Sequence, residues 1–341
     1  MISSDSYLLT QSVISFLLAT PAVLSNVLLL VSIYRRRSPG NRNQLSLKPV
    51  TLLVVNLSVC DLLSAIVPGY VSCAYGFYRI HIRSKIRAVE LLIIIVAVVT
   101  NIVSSCTISA MSFNCWLGVS SPFQHRARLT KAKIKVFIAV VWFYSLLFVS
   151  LFGAGVSKAV FVLLYCHIHV SLPLIILPVV YCKTYAALRL QGNQVVNLAD
   201  GRQRMAFAHR NRQRKLLSAF LLILVLFYVS FTPHFIANNI FAIRPSLSET
   251  GGFKFLQYVS NTFTLVNSSV NPYIYSWRIP EYREAFKAVF RGSVCRIKRR
   301  IGMTSDRVNI ASGHLGQRCY FINVHGTQFT SRLTAVSHWL P

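Results

Sequence analysis

The stretch VTLLVVNLSVCDLLSAIVPGYV, residues 50–71, decides the fold class of this chain. It is long enough to cross a hydrocarbon core of about 30 Å as a helix, which takes about 20 residues. Asp61 is its single formally charged side chain. An apolar run of this length with so little charge is typical of a membrane-spanning helix.

Six further apolar stretches of similar length occur along the 341 residues. The composition agrees, since 54% of the residues are hydrophobic and 13% are charged, whereas about a quarter are charged in soluble domains. Lipid offers no partner to open backbone groups, so each stretch must be a helix. The sequence therefore predicts an all-α bundle of seven membrane helices, with spans at residues 8–34, 50–71, 88–116, 134–156, 159–185, 216–243 and 255–277.

Basic residues predict the orientation of the bundle. They are concentrated after the first, third and fifth spans, whereas no Lys or Arg precedes Arg35. Because basic residues in short loops stay in the cytoplasm, the N-terminus is predicted outside the plasma membrane and the C-terminus inside. The predicted domains are an extracellular N-terminus (1–7), a membrane domain (8–277) and, beyond residue 291, a basic cytoplasmic tail with little fixed structure (292–341).

The formal net charge of +28 invites other interpretations. Nucleic acid is not a predicted partner, because the charge is divided among membrane loops and the tail. Anionic lipid of the inner leaflet is the expected counter-charge. Arg79, His81, Arg83, Lys85 and Arg87 lie instead on the predicted outer side. They either attract an anionic ligand or reflect the general basicity of the chain, and the sequence favours the second reading.

Polar residues inside the spans are costly in lipid and therefore point to a function. Asp61 lies in the middle of the second span and needs partners, because a lone buried carboxylate is unstable. The other mid-span polar residues are Asn26, Ser104, Asn267, Ser268 and Asn271. Their oxygens predict either a site for a small cation, with Asp61 as its metal ligand, or a polar knot that only packs helices.

Several motifs together resemble the rhodopsin-like (class A) G-protein-coupled receptors. They are Asn26, NLSVCDLL at 56–63, Trp142, Pro173 with Tyr181, Phe227 with Pro233, and NPYIY at 271–275. Residues 278–291 resemble the short amphipathic helix of that family. Each motif alone is weak, but their order and their placement span by span are specific, and the resemblance covers residues 8–291.

The resemblance implies roles for these residues. Asn26, Asp61, Ser104, Asn267 and Asn271 would form a sodium and water cluster, and sodium is the one expected bound ion, with no other cofactor. The switch residues would be Phe227, Phe231, Pro233, Pro272 and Tyr275. Prolines remove a backbone hydrogen bond and bend helices, so they provide pivots. The predicted ligand contacts are Asn101, Tyr165, His169, His234, Phe235, Asn238 and Asn261.

The predicted ligand is a small molecule that is not an amine, because Ala97 stands where amine receptors carry an aspartate. Asn238 stands where adenosine receptors grip a purine, which favours a purine-like ligand. Glu90 replaces the usual disulfide cysteine and the outer loop at 155–158 is very short, as in the melanocortin, lysolipid and cannabinoid branch, which favours a lipid. His169 and His234 can equally be packing residues.

The cytoplasmic side departs from the family in SAMSFNCWLGVSSPF, residues 109–123. The acidic-arginine-aromatic triplet falls on Asn114, Cys115 and Trp116, which would face the G-protein together with Tyr181. A thiol has neither the charge nor the donors of arginine. Cys295 is a predicted palmitoylation site.

Two functions follow from this departure. The first is a receptor whose partners are a G-protein and arrestin; the second is a receptor-like decoy or partner protein with weak coupling. A transporter or channel has less support, because no internal repeat or ladder of charges lines the spans. An enzyme is not predicted, because Asp61 has no second acid or nucleophile arranged beside it.

Overall fold

A computed structural model describes residues 4–37, 49–121, 129–195, 200–279, 282–284 and 286–287. The regular elements of this part of the chain are helical. We number the long helices α1 (Ser4–Arg37), α2 (Pro49–Ile82), α3 (Arg87–Ser120), α4 (Lys131–Gly153), α5 (Lys158–Tyr165, Cys166–Ser171 and Leu172–Val195), α6 (Asp200–Ile243) and α7 (Gly251–Arg278).

The first six helices are long and apolar enough to cross a membrane. α7 is more polar, because its buried face carries Ser260, Asn267, Ser268 and Asn271. It nevertheless packs along α6 and α1, so these polar groups face protein rather than lipid. The predicted seven-helix membrane bundle is confirmed, with the seventh helix as its most polar member.

Close backbone contact joins α1 to α2. A Cβ at Gly76 would lie 2.0 Å from Ser12 Oγ, and one at Gly69 would lie 2.7 Å from Ala19 Cβ. Glycine is therefore required for the observed approach of these helices. α3 lies at the centre of the bundle, where it packs against α2, α4 and α5.

Among the described residues, two helices contain a π-helical turn. These turns are Ala65–Val71 in α2, which includes Pro68, and Cys166–Ser171 in α5. The helix does not stop at Pro68, so α2 continues to Ile82 rather than ending near residue 71 as predicted. Arg79 and His81 therefore lie on α2, and only residues 83–86 form the connection to α3.

The amphipathic helix is described in part. Tyr282–Glu284 and residues 286–287 are helical, and the Tyr282 ring lies 6.0 Å from the ring of Tyr275. The remaining residues of 280–291 lie outside the described part, as do the predicted tail, Cys295 and the basic connection around Arg126.

Candidate ligand cavity and polar core

A cavity of about 440 Å³ opens between the helices in the half of the bundle that contains the N-terminus. All seven helices contribute to its lining, which runs from Gln11 of α1 to Leu265 of α7. Helix α4 contributes Phe152, near its C-terminal end. Its volume lies in the range of about 300–1,000 Å³ that is usual for small-molecule sites. The cavity is therefore the candidate ligand site.

Five of the seven predicted ligand contacts line this cavity. They are Asn101, Tyr165, His234, Asn238 and Asn261. These five residues come from α3, α5, α6 and α7, and the fold places all of them around the same cavity.

His169 and Phe235 do not line the cavity, contrary to their predicted position. His169 lies between α3, α4 and α5, where its Nε2 is 3.2 Å from Tyr144 Oη and its ring packs edge-on against Phe148 at 4.9 Å. Phe235 packs against the His167 ring at 5.7 Å. His169 is a packing histidine, which was the alternative reading of this residue.

The sequence did not identify several polar residues of the lining, including Gln11, Ser64, Lys158, Gln257 and Ser260. A signal for the α7 residues was present, because Gln257, Ser260, Asn261 and Thr264 follow the i, i+3, i+4, i+7 spacing of one helix face. The contributions of Gln11 and Lys158 depend on helix packing, so spacing alone could not reveal them.

Hydrogen bonds between helices fix the polar side chains of the lining. Asn101 Nδ2 donates to Tyr165 Oη at 3.3 Å, and His234 Nδ1 lies 3.0 Å from Ser260 Oγ. Asn238 hydrogen-bonds with the Cys166 thiol. The helices α3, α5, α6 and α7 are thus connected through groups that also face the cavity.

Two buried aromatic rings lie next to the cavity residue His234. The rings of Phe227 and Phe231 are stacked with their centroids 4.4 Å apart, and Phe231 meets the His234 ring at 6.2 Å. His234 lines the cavity, whereas Phe227 and Phe231 are not part of its lining. The two predicted switch residues are thus linked to the cavity through His234.

Polar groups around Asp61 form a cluster below this stack. The carboxylate is 2% exposed and its Oδ2 accepts from Asn271 Nδ2 at 3.0 Å; Ser268 also hydrogen-bonds it. Asn26 Nδ2 donates to the Ser268 carbonyl at 3.0 Å, which ties α1 to α7. Ser104 bonds instead with the Cys60 thiol, one residue away from Asp61.

The cluster has the donor chemistry that a small hard cation requires. Among the described residues, no Lys, Arg or His forms an ion pair with Asp61. The buried oxygens Asn267 Oδ1, Asn271 Oδ1 and Tyr275 Oη have no hydrogen-bond partner in the same part of the chain. Carboxylate and amide oxygens suit such an ion, so the residues present fit the predicted sodium site.

A second polar contact holds the centre of the bundle together. Asn56 Nδ2 donates to Thr107 Oγ1 at 2.8 Å, and Trp142 Nε1 donates to Asn56 Oδ1 at 2.9 Å. Asn56 therefore joins α2, α3 and α4 through both the donor and the acceptor end of its amide, and the Trp142 indole is one of its partners.

The residues of the altered triplet lie at the other end of α3. Cys115 and Tyr181 line one small cleft together with Thr184 and Leu217, between α3, α5 and α6. Asn114 is buried, and Trp116 packs against Phe113 with ring centroids 5.3 Å apart. Apolar side chains surround the Cys115 thiol, so this position presents no charge to the cleft.

A noncovalent clasp, made of Tyr75, Arg79 and Glu90, joins the C-terminal end of α2 to the N-terminal end of α3. Tyr75 Oη donates to Glu90 Oε1 at 3.0 Å and accepts from the Ile86 amide at 3.0 Å. Arg79 lies 3.8 Å from the same carboxylate oxygen. Glu90 is thus the carboxylate of α3 that both Tyr75 and Arg79 of α2 contact.

Comparison with known proteins agrees with this architecture. The family model for the 7 transmembrane receptor (rhodopsin family) matches residues 25–158 and 153–275. The chain is 24% identical to cannabinoid receptor 1 of Xenopus laevis over 85% of its own length and 65% of that protein. It is 23% identical to trace amine-associated receptor 7a of Mus musculus (54% and 58%) and 30% identical to adenosine receptor A2a of Homo sapiens (44% and 36%). The chain thus spans less than two thirds of each of these relatives.

Proposed function

Because the chain belongs to the rhodopsin family of seven-transmembrane receptors, we propose that it binds a small extracellular ligand and signals to a G-protein. The observation that carries this proposal is the cavity of about 440 Å³, which is lined by amide side chains and by His234, whose ring contacts Phe231. A ligand there contacts α3, α5, α6 and α7 at once.

The ligand that we propose is not an amine. Ala97 lines the cavity, and the lining includes no Asp or Glu to pair with an ammonium group. One relative is named for trace amines, but the relatives named for adenosine and cannabinoids agree better with this lining. Asn101, Asn238 and Asn261 present both donors and acceptors, which suits a purine-like edge or the polar end of a lipid.

The proposed mechanism is a shift between helix arrangements. Ligand contacts at Asn238 and His234 bias the Phe231–Phe227 stack, and the Asp61 cluster relays the change to Asn271 and Tyr275. A ligand shifts such an equilibrium only by its difference in affinity for the two states. Pro233 and Pro272 interrupt backbone hydrogen bonding along this route and allow α6 and α7 to bend.

The proposed orientation places the N-terminus outside the plasma membrane and the basic connections in the cytoplasm. Its support is the charge distribution of the sequence. On that side, a G-protein, arrestin and anionic lipid are the proposed partners.

A second candidate function rests on Cys115. The thiol provides no charge in the cleft beside Tyr181, so a G-protein contact that needs arginine cannot form there. The chain would then bind ligand or partner receptors with little signalling of its own.

G-protein activation in cells separates these functions. The native chain is compared with Cys115→Arg at equal surface expression, and Cys182→Arg, at an exposed cysteine of α5, controls for an added charge. We expect basal or ligand-driven signalling from the native chain. Silence of the native chain with signalling gained only by Cys115→Arg would favour the decoy, and silence of all three would contradict coupling.

A further inference from the structure

Lys158, the first residue of α5, is the one charged side chain among the described residues that line the cavity. Its ammonium group has no carboxylate partner in that part of the chain. The acidic residues at the same end of the bundle are paired with other cations. These pairs are Asp5 with Arg83, Glu90 with Arg79 and Glu249 with Lys254.

Further cations at this end of the bundle also lack a carboxylate partner. Lys85, Arg87 and Arg244 form no ion pair with a described residue. An excess of positive groups attracts anions and raises their local concentration. Among the described residues, the charge of Lys158 is thus not neutralised by an ion pair.

An apolar wall adjoins Lys158. Phe161 and Val162 lie one helical turn further along α5 and line the same cavity, together with Phe152 of α4. The rings of Phe152 and Phe161 meet edge-on at 5.5 Å, and Phe161 also packs against Phe148 at 5.2 Å. The wall is therefore held in place by rings behind it, and it offers flat apolar area next to a cation.

We propose that the cavity binds an organic acid whose single anionic group pairs with Lys158 and whose apolar body lies against Phe152, Phe161 and Val162. This inference rests on the proposed receptor function and names the chemical class of its ligand. Asn101, Asn238 and Asn261 line the same cavity and hydrogen-bond a polar group of the same molecule. An ammonium ligand is disfavoured by the same charge that attracts the acid.

The test uses matched pairs of an acid and its primary amide on the purified full chain in nanodiscs of neutral phospholipid. One pair is oleate and oleamide, and the other is indole-3-acetate and indole-3-acetamide; the two pairs distinguish a lipid body from an aromatic one. Thermal unfolding is followed as each compound is added. With the native chain, the acid of one pair should stabilise at a concentration about tenfold lower than its amide, because a charge-assisted hydrogen bond is stronger than a neutral one.

Lys158→Gln should reduce this preference to within about twofold, since glutamine keeps length and polarity but loses the charge. Lys183→Gln is the matched control, because it removes an exposed lysine of the same helix α5 outside the cavity lining, and it should keep the preference. If no acid stabilises the native chain more than its amide, the inference is wrong. Stabilisation by the amides alone would be consistent with the proposed receptor function but would contradict the proposal that the ligand is an anion. A preference unchanged in Lys158→Gln would assign the charge recognition elsewhere and overturn the role of Lys158.

Discussion

Asp61 shows how much a single residue can determine in this bundle. Its carboxylate is buried with two hydrogen-bond partners, and three nearby oxygens have none among the described residues. An uncompensated buried carboxylate costs several kcal/mol, so the cluster is poised to accept a cation. The same atoms can also be explained as a knot between α1, α2 and α7, and only a response to sodium separates the two.

At this scale we predict that Asp61→Asn abolishes the sodium response. Where sodium is present at about five times its Kd, binding should stabilise the native chain by about 1 kcal/mol, and the asparagine variant should gain nothing. The measurement is the unfolding temperature in sodium chloride against N-methylglucamine chloride. Ser230→Ala, which removes another buried hydroxyl on α6, should keep the response. Equal responses of the native chain and Asp61→Asn would leave the cluster with a structural role only.

Sequence reasoning placed the helices better than it placed the side chains. Asn101, Asn238 and Asn261 were found through the resemblance to rhodopsin-like receptors, and all three line the cavity. His169 was predicted to contact the ligand, but it lies within the π-helical turn Cys166–Ser171 and contacts Tyr144 and Phe148 instead. Lys158 was seen only as a loop charge. Local spacing carries no information on such contacts, since they arise from packing between helices.

At the scale of elements, the clasp shows how α2 and α3 are joined where no disulfide is available. Cys73, on the same helix, is buried and free. The Tyr75 hydroxyl makes two hydrogen bonds: it donates to Glu90 of α3 and accepts from the backbone amide of Ile86 in the connection. These ends of α2 and α3 are thus joined by hydrogen bonds rather than by a covalent bond.

We predict that Tyr75→Phe destabilises the folded chain by about 0.5–1.5 kcal/mol, the usual contribution of a hydrogen bond. Tyr78→Phe is the matched control, since its ring stacks on Tyr75 at 6.2 Å and the change keeps that ring. Chemical or thermal unfolding with and without reductant measures both effects. A reductant should leave the native chain unchanged, and an unfolding temperature for Tyr75→Phe equal to that of the control would rule the clasp out.

At the scale of the whole molecule, the two ends of the bundle differ in kind. One end holds the cavity and the clasp, and it includes the N-terminus of α1. The other end holds the small cleft with Cys115 and leads into the strongly basic connections of the sequence. A receptor for an extracellular ligand needs the cavity outside the cell and the cleft inside it. The proposed function therefore requires the proposed orientation.

We predict that an epitope placed before Ser4 is bound by antibody on intact cells, because the basic connections retain the opposite end in the cytoplasm. An epitope inserted between Val195 and Asp200 should be reached only after permeabilisation. Quantitative surface staining measures both, with total expression as the control. The reverse result would turn the cavity toward the cytoplasm and contradict an extracellular ligand.

The π turn in α5 has a consequence for how such receptors diversify. A π turn accommodates one residue more than an α turn, and each residue of an α-helix advances the chain by about 100° around its axis. Loss of one codon within Cys166–Ser171 would therefore rotate the segment Lys158–Tyr165 relative to the rest of α5. A different set of side chains would then face the cavity, although no lining residue had been substituted. Short deletions in this turn are thus a route by which descendants of one gene acquire new chemical preferences in a single step.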